Sequence, residues 1–250
     1  MSAPSQPSTD PTATPSIASP LPALDGPRPV VAMVMYPGMT LLDLVGPHAT
    51  LAPTMEAHLV AGTLDDVITD SGAAIRPGTT FADAPTDVDV LFVPGGAGTG
   101  GAMADEELLA FVADRGARAR YVTSVCSGSL ILGAVGLLQG YRASSHWTAL
   151  DLLPLFGAEI ATERVVIDRN RITGGGVTAG IDFGLTLLDV LQGRHVAEMT
   201  QLAMEYDPQP PFTSGSPATA DPALVAMIRA GVEPVNQAVR DAIDQRRLAS

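Results

Sequence analysis

The chain has no lysine: all 14 of its basic residues are arginine, set against 27 acidic residues, for a formal net charge of −13. That absence excludes Schiff-base and pyridoxal-phosphate chemistry, which need a lysine amine, and any phosphate loop ending in Gly-Lys-Ser/Thr. Codon bias in a GC-rich genome accounts for it without appeal to function, and the exclusion holds either way. The basic residues that exist are scattered from Arg28 to Arg247, so no patch suits a phosphate backbone, and no nucleic-acid partner is expected. Cysteine is nearly as scarce. A single one, Cys126, rules out an intrachain disulfide and a multi-thiolate metal site, and fits a reducing cytoplasm. His48, His58, His146 and His195 lack metal-ligand spacing, so no metal is expected either.

Long apolar runs and dense charge are missing too. Residues 1–28 are rich in Ser, Thr, Ala and Pro, with no basic residue before Arg28; a secretory signal needs a positive start and an apolar stretch, so this segment reads as a disordered tail. The uncharged stretch Tyr121 to Tyr141 is diluted by Ser124, Ser127, Gly128, Gly133 and Gly136. It reads as a strand followed by a buried helix rather than a membrane span. Charged residues make up 16% of the chain and hydrophobic ones 46%, against roughly 25% charged in an average soluble domain. Such a chain can bury one large core.

What is present is an alternation of short apolar runs and helical stretches from residue 29 onward. Strands are expected at Val30–Tyr36, His58–Ala61, Val88–Val93 and Tyr121–Val125, and helices at Gly46–Leu51, Asp105–Gly116, Ser127–Leu138 and Val177–Leu191. Polar centres flanked by β-branched residues predict hairpins at Leu64–Phe81 and Val165–Thr173, decorating the sheet edge. The pattern specifies an α/β three-layer sandwich with a mostly parallel, doubly wound sheet. A breaker-rich linker after Tyr206 leads to one or two helices from Asp221 to Leu248. The expected division is a tail over 1–28, a main domain over 29–212, and a linker with a helical extension over 213–250.

In open α/β sheets ligands bind beyond the carboxyl ends of the strands. Three such ends carry chemistry. After the first strand comes Asp43, flanked by Leu41, Leu42, Leu44 and Val45; an acid there is commonly a cap, but half-burial would raise its pKa and let it hold a proton. After the third comes Pro94-Gly95-Gly96, whose glycines allow backbone N–H groups close to a ligand. After the fourth comes Ser124-Val125-Cys126-Ser127-Gly128, with the small-x-nucleophile-x-small spacing of a nucleophile elbow. Free cysteine is often simply buried. A strand, an elbow and a helix start in one sheet favour a nucleophile, whose thiolate the helix N-terminus would stabilise. His146, beside Trp147, reads first as a packed helix-start residue and second as a further candidate for the pocket. The glycine-rich Gly174 to Gly180 reads as close packing behind the cysteine rather than as an anion loop.

Taken together, Leu42-Asp43-Leu44-Val45-Gly46-Pro47, Val93-Pro94-Gly95-Gly96, Ser124-Val125-Cys126-Ser127-Gly128 and Thr173-Gly174-Gly175-Gly176-Val177-Thr178-Ala179-Gly180-Ile181-Asp182 resemble the ThiJ/PfpI superfamily of the class I glutamine amidotransferase-like fold, and within it the isonitrile-hydrating branch. The resemblance runs from about Val30 to Phe212. It implies Cys126 as nucleophile, Asp43 as its acid partner, Gly95 and Gly96 at the substrate, a homodimer and no cofactor. The implied reaction adds water to an isonitrile through a thioimidate, giving an N-substituted formamide. Members of that branch usually carry Thr after the cysteine; Ser127 keeps the hydroxyl and drops the methyl. Two alternatives stay open. Glyoxalase- or deglycase-like members carry Glu where Asp43 stands, and ligand-sensing relatives precede the DNA-binding helices of AraC-type regulators. Residues 213–250 are too few for a pair of helix-turn-helix units, and the acidic charge opposes DNA.

Overall fold

The computed structural model describes residue 21 and residues 26–249, so most of the tail expected over 1–28 lies outside the described residues. Its frame is a seven-stranded sheet. In chain order the strands are β1 (Val30–Val34), β2 (Glu56–Ala61), β3 (Val67–Ile68), β4 (Ala74–Ile75), β5 (Thr79–Thr80), β6 (Val90–Val93), β7 (Tyr121–Val125), β8 (Arg142–Ala143), β9 (Glu159–Ile160), β10 (Val165–Asp168) and β11 (Arg171–Gly174). The sheet runs β10-β11-β7-β6-β1-β2-β5. All its pairings are parallel except β10 with β11. The helices are α1 (Leu41–Leu51), α2 (Thr99–Ala102), α3 (Glu106–Arg118), α4 (Gly128–Ala134), α5 (Ala179–Gln192), α6 (Arg194–Ala203) and α7 (Pro222–Ala249), with a 3₁₀ segment at Leu150–Phe156.

The central strands read as continuous apolar runs because helices cover both faces: β1 is Val-Val-Ala-Met-Val, and β6, Val-Leu-Phe-Val, is buried throughout. α1 and α5 pack together on one side and α3 with α4 on the other. Between the layers, Phe92 of β6 lies 5.4 Å from Phe183 of α5, ring centre to ring centre. α3 shows how local sequence fixes an element. Asp105 caps it by accepting from the amides of Glu107 and Leu108 at 3.0 and 3.1 Å, Glu106 and Glu107 occupy its positive end, and Arg115 and Arg118 its negative end.

Several expected boundaries move for identifiable reasons. α1 begins at Leu41, not Gly46, so Pro47 lies inside the helix rather than near its start; the sequence signal of proline at a first turn misleads here. Asp43 thereby enters the helix's first turn and is fully buried. α4 stops at Ala134, short of Leu138, where Gly133 and then Gly136, at φ +76°, end it. The hairpin expected at Val165–Thr173 is β10 with β11, antiparallel at the sheet edge, and its inner strand β11 is a full member of the sheet, lying parallel beside β7. The hairpin expected within 64–81 is β3 with β4, and β5 leaves it to pair with β2 at the opposite edge. Beyond the helix expected at Val177–Leu191 the structure adds α6, set off from α5 by Gly193 at φ +89°. Among the described residues no helix is long and apolar enough to cross a membrane.

The sheet order turns around at β1 and β6: the chain goes from β1 outward to β2, then returns to β6 on the other side of β1 and continues to β7. The registers Val31 with Val90, Val93 with Ser124 and Val125 with Gly174 bring the carboxyl ends of these strands to one rim. That rim is where an open α/β sheet leaves a crevice.

α1 and α5 cross so closely that a Cβ on Gly184 would stand 1.8 Å from the Thr50 hydroxyl oxygen, which itself donates to the Pro47 carbonyl at 2.8 Å. Gly184→Ala is therefore expected to lose about 1–3 kcal/mol by overpacking. Gly231→Ala, in α7 with open space around it, gains about 0.5–1 kcal/mol. Urea titration compares the two; coincident midpoints would refute the close helix contact.

Candidate active site

The elbow at Cys126 is strained as its spacing predicts: φ is +53°, a conformation costly for a residue with a side chain. Its surroundings hold it there. The Cys126 amide donates to the carbonyls of Gly174 and Gly175 at 3.1 and 2.8 Å, and its carbonyl accepts from Ser145 Oγ at 3.0 Å and Ser129 Oγ at 3.3 Å. The β11 loop so anchored bends at Val177, φ +26°, and turns the Val177 amide toward the sulfur, as the α4 start does with the amide of Ser127.

Asp43 arrives from α1. The Gly95 amide donates to Asp43 Oδ2 at 3.0 Å, and only a glycine fits at position 95, because a Cβ would stand 2.4 Å from the Ser127 nitrogen and 2.8 Å from Cys126 Cβ. The other oxygen, Oδ1, is buried and has no hydrogen-bond partner among the described residues. The Cys126 thiol and this carboxyl are close enough to shift each other's pKa. Ser127 Oγ accepts from the Gly96 amide at 3.0 Å and lies 2.8 Å from Thr99 Oγ1. The N–H groups of both glycines thus donate to protein acceptors, Asp43 and Ser127. Gly96 does line the cavity beside Cys126, while Gly95 holds the carboxyl.

That cavity measures about 200 Å³ and is bounded by Gly96, Cys126, Ser127, His146 and Val177. α7 closes it with Val232, Val235 and Asn236, where no site residue was expected. Asn236 is buried and donates from Nδ2 to the Thr148 carbonyl at 2.8 Å. Thr148 Oγ1 in turn meets His146 Nδ1 at 2.7 Å. His146 reaches the cavity wall, but burial lowers its pKa and keeps it neutral; its interactions with Thr148 and Trp147 are those of a packed residue. A larger cavity of about 520 Å³ lies among Arg28, Thr54, Asp89 and Arg120. It sits by the amino ends of the strands and touches none of these groups, so size does not locate the chemistry. No cluster of three metal-ligating side chains occurs among the described residues.

The electrostatics oppose one part of the sequence expectation. Burial, and then the Asp43 charge, push the Cys126 thiol well above its ordinary range; the amides of Ser127 and Val177 pull the other way without prevailing. Burial also pushes Asp43 up to about 7, against the lowering effects of the Gly95 amide and the thiol, with Asp70 adding a smaller upward push. The resting pair is therefore a thiol beside a carboxyl that titrates near neutrality, not a preformed thiolate.

Because the folded pKa of Asp43 lies above the unfolded value of about 3.9, the native state binds this proton more tightly. Its contribution is most favourable below pH 4, declines as pH rises toward about 7, and is flat above. The stability of Asp43→Asn relative to the parent is accordingly expected to grow between pH 4 and 7 and then level off. Denaturant unfolding across that range checks this; a pH-independent difference would contradict it.

A model of the DJ-1/PfpI family matches residues 29–190. The chain is 50% identical over 206 residues to an isonitrile hydratase from Pseudomonas putida, covering 82% of this chain and 90% of that one. Over 176 residues it is 34% identical to the HTH-type transcriptional regulator GbdR of Pseudomonas aeruginosa, covering 64% of this chain and 47% of the regulator. The crystal structure of a ThiJ/PfpI family protein from Pseudomonas syringae, 49% identical, superposes with a TM-score of 0.85 over 94% of this chain and 99% of that one. Oxidized DJ-1 of Toxoplasma gondii, 19% identical, shares the fold with a TM-score of 0.65 over 72% of this chain and 100% of its own. With the family model spanning most of the chain and the sheet, elbow and strand-end loops in place, the chain belongs to the DJ-1/PfpI family.

Proposed function

We propose that this chain is a cysteine-dependent isonitrile hydratase that converts R–N≡C to an N-substituted formamide. The observation that carries this reading is the buried Cys126–Asp43 pair, a thiol on the wall of a small cavity with a carboxyl titrating near 7 behind it. The 50% identity to the Pseudomonas putida hydratase supports it. Addition to an isonitrile needs what such a pair offers: a nucleophile, one proton carrier and a largely apolar wall.

In the first half-reaction the Cys126 thiol gives its proton to the Asp43 carboxylate as sulfur bonds to the terminal carbon of the isonitrile. The carboxyl then delivers that proton to the same carbon. The result is the addition of S–H across one carbon, a thioimidate R–N=CH–S–Cys126, with Asp43 restored as a carboxylate. The amides of Ser127 and Val177, aimed at sulfur, stabilise the transient thiolate. In the second half-reaction water, held by the Ser127 hydroxyl, adds through oxygen to the carbon while nitrogen takes a proton. The C–S bond breaks, sulfur regains a proton from the new hydroxyl, and R–NH–CHO leaves. Val177, Val232 and Val235 offer R an apolar surface. The homodimer and cytoplasmic setting implied by the family resemblance belong to this proposal.

The similarity to GbdR supports a second reading, a ligand-sensing domain in which the cysteine is idle. Saturable isonitrile binding that survives Cys126→Ala, with no formamide formed by the parent, would favour it. A deglycase-like activity predicts methylglyoxal turnover instead.

The hydratase reading makes two demands. Formamide production from a simple alkyl isonitrile is abolished by Cys126→Ala; equal activity in that variant would sink the scheme. Because the carboxylate form of Asp43 must accept the thiol proton, kcat/KM rises with pH through about 7 and then levels. Asp43→Asn loses that limb and about 10²–10⁴-fold in rate.

A further inference from the structure

Ser127 is not free to turn. A serine hydroxyl with nothing to fix it samples several staggered positions, yet Thr99 and Gly96 claim its proton and one of its two lone pairs in a defined order. Thr99 Oγ1 donates its one proton to the Gly96 carbonyl at 2.8 Å. Across the 2.8 Å separation between Thr99 Oγ1 and Ser127 Oγ, Ser127 must then be the donor. The Gly96 amide fills one Ser127 lone pair at 3.0 Å, and the other acceptor for the Ser127 proton, the Gly96 carbonyl, lies at a poor 3.5 Å. One lone pair is left, on a residue that lines the cavity. Behind Thr99, the Tyr36 hydroxyl donates to the Pro94 carbonyl at 2.8 Å and stands 3.4 Å from Thr99 Oγ1. Thr99 is fully buried and Tyr36 is 3% exposed, so no solvent competes for these bonds.

We propose that Thr99, backed by Tyr36, is the positioning residue that sets the Ser127 hydroxyl and thereby directs the water of the second half-reaction. The inference rests on the hydratase reading and adds residues that do not line the cavity. With its proton held by Thr99, Ser127 acts toward the cavity only as an acceptor. A water donating to it keeps an oxygen lone pair for the thioimidate carbon. Removing Thr99 Oγ1 releases the Ser127 proton, which can then point into the cavity and reverse the polarity of that contact. Thioimidate formation, which uses Cys126 and Asp43, is untouched by this reversal.

The experiment follows n-butyl isonitrile with Cys126 by intact mass and stopped-flow in the parent, Thr99→Val, Thr99→Ser and Ser127→Ala proteins. For Thr99→Val the first-turnover adduct forms within about twofold of the parent rate while steady formamide release falls about tenfold or more, so the adduct accumulates. Thr99→Ser restores release, and Thr99→Val made on Ser127→Ala changes release by less than about twofold, because Thr99 acts through Ser127. The adduct fraction is read on folded, reacting enzyme, so partial loss of fold cannot imitate accumulation. Equal slowing of both phases, an unchanged partition, or additive effects in the double variant would each overturn the positioning role while leaving the hydratase reading intact. A parent protein that forms neither adduct nor formamide overturns the hydratase reading itself, and this inference with it.

Discussion

The backbone of Cys126 is the constraint on which the rest of the site depends. A β-carbon at φ +53° is disfavoured locally, so the conformation persists only because the Cys126 amide and carbonyl are each claimed twice. Those claims fix the β11 loop and the start of α4 relative to β7. They also explain the crowding of small residues nearby: with the turn that tight, Gly95 passes where no side chain fits, and Gly128 would place a Cβ 2.2 Å from the Val93 carbonyl. The strain and the close passage are one feature. Relaxing the turn would part the sulfur from the amides of Ser127 and Val177 and would open the gap through which Gly95 reaches Asp43.

Asp43 illustrates a conflict between stability and reactivity. Burying a carboxyl with one oxygen unpartnered is unfavourable, and a well-packed asparagine or leucine would serve the core better. The fold retains it against a single amide, that of Gly95, which satisfies one oxygen. A second amide would drop its pKa and end its use as a proton carrier. One is enough to hold the group in place and too few to hold it ionised.

The fold and the location of this site were legible in the sequence for the same reason: both follow from the ends of buried parallel strands. Short apolar runs mark the strands; Gly95-Gly96 and Cys126 stand directly after two of them, and Asp43 lies in the helix that follows the first. What was not legible depended on distance. No periodicity or spacing announces that Asn236 returns beside Thr148, or that Val232 and Val235 close a cavity opened at Cys126. The sign of the cysteine shift was missed for a related reason. A seven-residue α4 offers two amides, and that local benefit was visible, but the burial that outweighs it is made by segments far away in the chain. Thr99 had a visible signal, a hydroxyl three residues beyond Gly96 in a strand-end loop, which becomes interpretable only once Ser127 is seen to lie against it.

The shortage of positive charge takes on a meaning within this site. Among the described residues, the leading causes that act on the Cys126–Asp43 pair from outside it include the anion of Asp70 and no arginine. A fixed cation within hydrogen-bond reach would lower both pKa values together. The sulfur would become a standing thiolate and Asp43 a standing carboxylate, giving a better resting nucleophile with no proton to place on carbon. Attack on an isonitrile needs both events at one atom, since the carbon that accepts sulfur must also accept hydrogen. A thiol kept protonated beside a carboxyl poised near 7 couples them, because the proton leaves sulfur only as the nucleophile is used and is then held by the group that delivers it. Burial without a counter-ion, unfavourable for each residue alone, is what keeps the proton within the pair.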